Sequence, residues 1–311
     1  MRLRLPSLSP SAYRRITLVA AVLLAIIIVT GGVVRLTNSG LGCPDWPTCH
    51  GRSPIQYPSS DGHATIEYLN RLFTGLVSAA VIVCVLGSLR RRPRRRDLVR
   101  LSWGLVAGVV GQAVLGGMVV IFDLQPPLVM SHFILSIILL TNAIVLFRRA
   151  GEPDAPARSL VSSDVRLAGR VLLCITGAVV VAGTFVTATG PHLGDKDVKP
   201  LSFNPPEVAR VHGSLVITLL ITIVVLGWLL RRESAPKPVQ LRLLLLLGVV
   251  LTQGAIGYIQ YFNNVPPVLV GFHIGGAASV WTAALWFYLG LSTRDPASVP
   301  RTAPEPALAT A

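Results

Sequence analysis

The sequence predicts an all-α integral membrane protein of eight transmembrane helices, arranged as two repeated four-helix bundles. Three observations carry this expectation. The chain of 311 residues is 52% hydrophobic and only 14% charged, with a mean hydropathy of +0.63, a composition that belongs to multi-span membrane proteins. Eight apolar stretches fall near 16–35, 66–89, 100–122, 127–147, 167–189, 207–230, 240–261 and 268–292. At 1.5 Å of rise per residue, about twenty residues cross about 30 Å of hydrocarbon. Finally, the second set of four stretches repeats polar landmarks of the first.

The first stretch is long, and no small-residue cleavage site clearly follows it, so it reads as a retained helix rather than a signal peptide. The net charge of +14 lies in short segments: Arg2, Arg4, Arg14 and Arg15; the arginine run 90–96, broken only by Pro93; Arg148 and Arg149; Arg231 and Arg232. Arginines in short loops beside spans set orientation and meet anionic lipid. They place both termini in the cytoplasm and the loop 43–63 outside, and they argue against a nucleic-acid partner. The domain reading is a cytoplasmic N-terminus (1–15), an N-terminal half (16–150), a cytoplasmic linker (151–166), a C-terminal half (167–292) and a disordered tail (293–311) rich in Pro, Ala and Thr.

The repeat is legible at particular residues. Gln112, Gly116 and His132 match Gln253, Gly257 and His273, with twenty residues from Gln to His in both and a one-residue shift at the Pro-Pro pair between them. Residues 31–42 match 183–194 at constant offset, and Asn70 falls opposite His212. An even number of crossings per half gives a parallel repeat.

His132, His212 and His273 each stand just inside a span. An imidazole inside a membrane span is rare and marks a function or a partner. One alone reads as a helix-packing residue. Three at one depth on even-numbered spans read as ligands, and haem iron is a natural occupant of facing imidazoles in a helical bundle. Asn70 and His132 would face each other in the first half, His212 and His273 in the second. The chain has no C-x-x-C-H segment, so covalent haem attachment is not expected. Cys43 and Cys49, in a short polar loop outside the membrane, read as a disulfide. Cys84 and Cys174 fall within spans and read as small apolar residues. Arg71 and Arg210, near the outer ends of their helices, are candidates to hold haem propionates by paired hydrogen bonds, with interfacial snorkelling as the plainer role. His50 and His192 lie in outer loops and read as solvated.

The segments Thr30-Gly31-Gly32-Val33-Val34-Arg35-Leu36-Thr37, Ser39-Gly40-Leu41 and Cys43-Pro44-Asp45-Trp46-Pro47-Thr48-Cys49-His50-Gly51 resemble those of the haem A synthase family. So do Ile66-Glu67-Tyr68 with Arg71, Gln112-x3-Gly116-Gly117 and the three span histidines. The resemblance covers roughly residues 16 to 292. It implies oxidation of a ring methyl group of haem O to a formyl group, giving haem A for cytochrome oxidase. It also implies a haem b held by His212 and His273, with Arg210 nearby, that relays electrons from quinol or another membrane carrier. The substrate haem would lie in the first half beside Glu67, delivered by a haem O synthase. One position departs from the family pattern Glu-x-x-His, which here is Glu67-Tyr68-Leu69-Asn70. Either His132 alone binds the substrate iron, or another group takes the second side. His63 shares a helical face with Glu67 and Asn70 but would lie about 10 Å further out. The rival reading is a b-type cytochrome that oxidises quinol. A transporter would want a midplane charge, and the polar residues cluster near one face instead.

Overall fold

A computed structural model describes residues 7–49, 51 and 62–295. Eight helices are long and apolar enough to cross a membrane: α1 (Pro10–Leu36), α2 (Gly62–Arg90), α3 (Arg96–Ile121), α4 (Pro126–Ala150), α5 (Ser163–Thr189), α6 (Pro205–Arg232), α7 (Lys237–Phe262) and α8 (Pro267–Leu289). The protein is a multi-pass, all-α membrane protein. Large apolar side chains such as Val224, Leu241 and Val268 are exposed along the helices, as a lipid-facing surface requires and a water-soluble monomer avoids.

Most helices run past the apolar stretches. α1 begins at Pro10, with the Ser9 hydroxyl accepting from Ala12 N at 3.2 Å. α4, α6, α7 and α8 also carry proline in their first two positions, where the missing N–H costs nothing. Hydrophobicity marks the hydrocarbon crossing, whereas caps and prolines mark the helix ends, so the two boundaries differ by a few residues. At the other end of the chain α8 stops at Leu289 with a Gly290 cap, short of the expected 292. Ser292–Thr293 form β2, antiparallel to β1 at Arg158–Ser159. The linker 151–166 and the start of the tail are thereby tied together; residues 296–311, expected to be disordered, lie outside the described residues.

Within the first four helices, α1 packs on α2 and α4, and α3 on α2 and α4; within the second four, α5 packs on α6 and α8, and α7 on α6 and α8. The groups meet through α1 with α8 and α4 with α5 and α8. Trp281 Nε1 of α8 donates to Thr141 Oγ1 of α4 at 2.7 Å across this seam.

The α3–α4 and α7–α8 turns are built alike. Asp123 and Leu124 have φ of 51° and 56°, and Asn264 and Val265 have 58° and 55°. Asp123 and Asn264 are of the types that tolerate the left-handed region, whereas it is costly for Leu124 and the β-branched Val265. In each turn the second residue's N–H returns to a helix carbonyl, Leu124 to Val119 at 2.8 Å and Val265 to Gln260 at 2.9 Å. The helices that follow begin at Pro126 and Pro267. The turns and the spacing from helix start to histidine are thus the same in both, and the one-residue shift belongs to the proline pair alone: Pro126 and Pro127 open α4, whereas Pro266 caps α8 and Pro267 opens it.

The arginine-rich end contains a network of ion pairs. Arg95, 2% exposed, pairs with Asp97 at 2.7 Å; Asp97 also meets Arg149 at 2.6 Å, and Glu152 meets Arg148 at 2.7 Å. Arg148 Nη2 donates to Ser292 O at 2.9 Å. These arginines, which the sequence marks as orientation signals, also hold helix ends and the β1–β2 pair together.

Candidate functional site

Four polar residues stand six to eight positions into the even-numbered helices: Asn70 in α2, His132 in α4, His212 in α6 and His273 in α8. Helix α6 faces α5 closely enough that a methyl group built on Gly183 would lie 3.3 Å from His212 Cε1. The same holds for Gly116 of α3 with His132 Cε1 (3.1 Å) and Gly257 of α7 with His273 Cε1 (2.9 Å). Each imidazole therefore lies on a glycine of the preceding helix, in a space that any larger residue would fill. Gly116 and Gly257 are legible in sequence as repeat partners; their role as ring seats is not.

His212 and His273 face each other, ring centres 6.3 Å apart with planes at 71°. Imidazole nitrogens bind a metal at about 2 Å. With the ring centre about 1 Å behind each nitrogen, one iron between two imidazoles places the centres about 6 Å apart. His212 Nδ1 lies 3.1 Å from Val179 O. With Nδ1–H donating to that carbonyl, the lone pair is on Nε2, the arrangement that orients metal-ligating histidines. His132 Nδ1 and His273 Nδ1 are buried without a hydrogen-bond partner, which is uncommon in a finished core. The pair thus fits a bis-imidazole iron in spacing and in donor chemistry. Among the described residues no group of three or more His, Cys, Asp or Glu is placed to hold a metal ion.

The backbone at two histidines is held by glutamine. Gln112 Nε2 donates to His132 O at 3.2 Å and Gln253 Nε2 to His273 O at 2.7 Å. Gln112 also reaches Ser136 Oγ at 2.8 Å. The glutamines therefore lock α3 to α4 and α7 to α8 at the histidine level.

Glu67 is 5% exposed and bridges α2 to the cysteine loop. Its Oε2 accepts from Cys43 N at 2.7 Å and its Oε1 pairs with Arg71 Nη2 at 2.5 Å. Arg71 donates further to Cys43 O (3.0 Å), Asp45 O (2.8 Å) and Thr48 O (2.7 Å). Most of its N–H groups are thus engaged by the loop. Cys43 and Cys49 form a disulfide with a Cα–Cα distance of 4.6 Å, packed with Ala64 and Tyr68. Trp46 of the same loop lies against α3, where a methyl group on Gly117 would come within 2.9 Å of the indole. The loop, closed on itself by the disulfide, is therefore clasped onto α2 and α3 by a carboxylate, an arginine and an aromatic ring.

The remaining candidates are dispersed. Arg210 is exposed on the first turns of α6, its Nε 3.4 Å from Pro206 O. Arg35, at the end of α1, donates to His192 O and, at 2.8 Å, to Thr187 O; it joins the two groups of helices. His192 Nε2 lies 2.8 Å from Val265 O, so this loop histidine is bonded to the α7–α8 turn. His63 Nδ1 lies 3.1 Å from Ser39 Oγ, away from Asn70. Cys84 is buried and Cys174 exposed, and His50 lies outside the described residues.

Helices of this number, with facing histidines near one end, define a multi-pass membrane protein built around an intramembrane imidazole site. The family model described as "Cytochrome oxidase assembly protein" matches residues 14–193 and 208–311, and the chain belongs to that family. It is similar to "Heme A synthase" of Halalkalibacterium halodurans, 28% identical over 248 residues, 75% of this chain and 82% of the relative. "Heme A synthase" of Symbiobacterium thermophilum is 27% identical over 293 residues, 87% of this chain and 92% of the relative. That of Exiguobacterium sibiricum is 33% identical over 171 residues, 53% and 56%.

The glycine seats give a direct test. Gly257→Val places a Cβ 2.9 Å from His273 Cε1 and two methyl groups beyond it, and overpacking of this kind costs about 1–3 kcal/mol or displaces the ring. The expected outcome is a purified protein that keeps its helicity but binds haem in the second half at least ten-fold more weakly. Unchanged haem content and absorption would separate the glycine from the site.

Proposed function

We propose that this chain is a haem A synthase, an oxidoreductase that converts a ring methyl group of haem O to the formyl group of haem A for cytochrome oxidase. The observation that carries the reading is the set of three glycine-seated histidines, in a chain whose relatives bear that name along most of its length. The sites divide by half. His212 and His273 hold a b-type haem, which when bound supplies one-electron transfer between the substrate site and an external donor or acceptor. Val179 orients His212, Gln253 fixes the backbone of His273, and Arg210 lies at the rim for a propionate. Two filled imidazole positions suit a relay.

In the first half, His132 binds the iron of the substrate haem O, with Gln112 holding its backbone. Asn70 of α2 is the counterpart of His212 in this half. Glu67 lies one helical turn from Asn70, at the base of the clasped loop, where a carboxylate moves a proton or balances developing positive charge. Arg71 holds Glu67 and the loop in place. It has little donor capacity left for a propionate, so any hold on the substrate is through the loop. The loop excludes water from the outer side of the substrate.

The arginine-rich ends face the cytoplasm, with both termini there and the cysteine loop outside, in the cell membrane. The redox partner is quinol or another membrane electron carrier, and haem O synthase delivers the substrate directly, since free haem O is apolar. The rival electron-carrier reading gives no role to the Glu67–Arg71 pair and its loop.

The test is chromatography of the haem extracted from protein purified out of cells that make haem O. Haem B together with haem A, or its hydroxylated precursor, is the expected result. Haem B alone, with haem O unbound and unchanged, would overturn the synthase reading in favour of the electron carrier.

A further inference from the structure

Asn70 leaves a gap that the rest of the structure measures. In α5 and α6, Gly183 seats the His212 ring at 3.3 Å and the Val179 carbonyl lies 3.1 Å from its Nδ1. The corresponding residues of α1, at the offset that relates 31 to 183, are Gly31 and Ile27. A methyl group built on Gly31 would meet nothing within 4 Å, although Gly116, Gly183 and Gly257 all press on imidazoles. The Ile27 carbonyl, counterpart of the one that orients His212, is approached by the Thr30 hydroxyl at 3.2 Å. The one proton of that hydroxyl goes to the nearer acceptor, Asn70 Oδ1 at 2.8 Å. Thr30 has Ala182 as its counterpart, so this hydroxyl belongs to the half that lacks the ring.

The consequences are chemical. The Asn70 oxygen, the only atom of that side chain with a lone pair suited to iron, is turned to Thr30. With Oδ1 so engaged, the Asn70 Nδ2 hydrogens have no partner among the described residues. Where the second half sets an imidazole against a glycine, the first half has an open glycine and an amide N–H donor. In haem proteins, distal access and hydrogen-bond donors decide whether iron binds and activates a diatomic ligand or only passes electrons.

We infer that the first-half site takes a small exogenous ligand of the dioxygen and carbon monoxide class on the side opposite His132, with Asn70 Nδ2 as its hydrogen-bond donor and Thr30 as the residue that orients the amide. This rests on the reading that His132 holds the substrate haem. It gives the two halves opposite properties: the His212–His273 site is closed on both sides, and the His132 site is open on one.

Carbon monoxide is the probe. The full chain, purified from cells making haem O and reduced, is titrated with the gas, and the same sample is extracted to identify its haems. Binding is expected in proportion to haem O or haem A, with none to the haem B fraction. Asn70→His supplies a ring for the Gly31 seat, and binding should fall at least ten-fold with a change to six-coordinate low-spin absorption. Asn70→Leu removes the donor without adding a ligand; the gas should still bind, with its C–O stretch moved to higher frequency. Retained haem B in each variant reports an intact fold. Haem O present with no carbon monoxide binding would overturn the inference, as would equal binding in Asn70→His or an unmoved C–O stretch in Asn70→Leu. An extract with haem B alone would instead remove the substrate-site reading itself, and this inference with it.

Discussion

Replacing His212 with alanine is expected to empty the second-half site while leaving the protein folded. Nδ1 of His212 is anchored on Val179 O at 3.1 Å, and its ring centre is 6.3 Å from that of His273. Removing it deletes the ring that Gly183 seats and, on the proposed function, one of the two ligands of the b-type haem. Loss of partners that merely orient a ligand costs 10- to 100-fold in metal affinity, so loss of the ligand should cost at least about 100-fold. Haem B in the purified variant should fall below one-tenth of its normal content, and the six-coordinate low-spin signal should vanish. His273→Ala should behave in the same way. His132→Ala should differ: haem B stays, and bound haem O is lost. The measurement is extracted haem per chain with absorption and spin state, alongside thermal stability. A His212→Ala protein that still held low-spin haem B in full would show that the pair is a packing contact.

The sequence carries much of this arrangement because membrane physics is local. Eight runs of about twenty apolar residues have few folded alternatives in hydrocarbon, where every backbone group must bond within its own segment. The histidines stood out for the same reason, being costly where they lie. Gln112 and Gln253 were legible as repeat partners, but their acceptors, the backbone carbonyls of His132 and His273, were not, since hydropathy says nothing of which face meets which helix.

Other features depend on contacts between distant parts of the chain. Arg35 joins the end of α1 to Thr187 and His192, more than 150 positions away. Arg71 was legible as a cation near the membrane surface, and only the folded loop reveals three carbonyls gathered around it. The β1–β2 pair joins residues on either side of the second four helices; two-residue strands have no periodicity to read. A glycine seat likewise looks like any other small residue of a membrane helix until the ring above it is placed.

Glu67→Gln carries the second large expected effect, and it separates two roles that this carboxylate combines. A glutamine matches its shape but offers one acceptor oxygen where two are used. One of Cys43 N–H and the Arg71 guanidinium then meets an amide N–H. A buried donor left without a partner costs about 1–3 kcal/mol, so the loop should loosen at Cys43 without the helices unfolding. The charge and the transferable proton are lost as well, and general acid–base catalysis contributes about 10²–10⁴-fold. Formyl formation should therefore fall by at least about 100-fold, while haem B at His212 and His273 remains at its normal level. The haem O content of the variant then divides the effect. Haem O retained but unconverted assigns Glu67 to the chemistry. Haem O lost assigns it to holding the loop over the substrate, and Arg71→Ala, which frees the carbonyls of Cys43, Asp45 and Thr48 without removing the carboxylate, should then reproduce the loss. Formyl formation near the normal rate in Glu67→Gln would remove this residue from both roles.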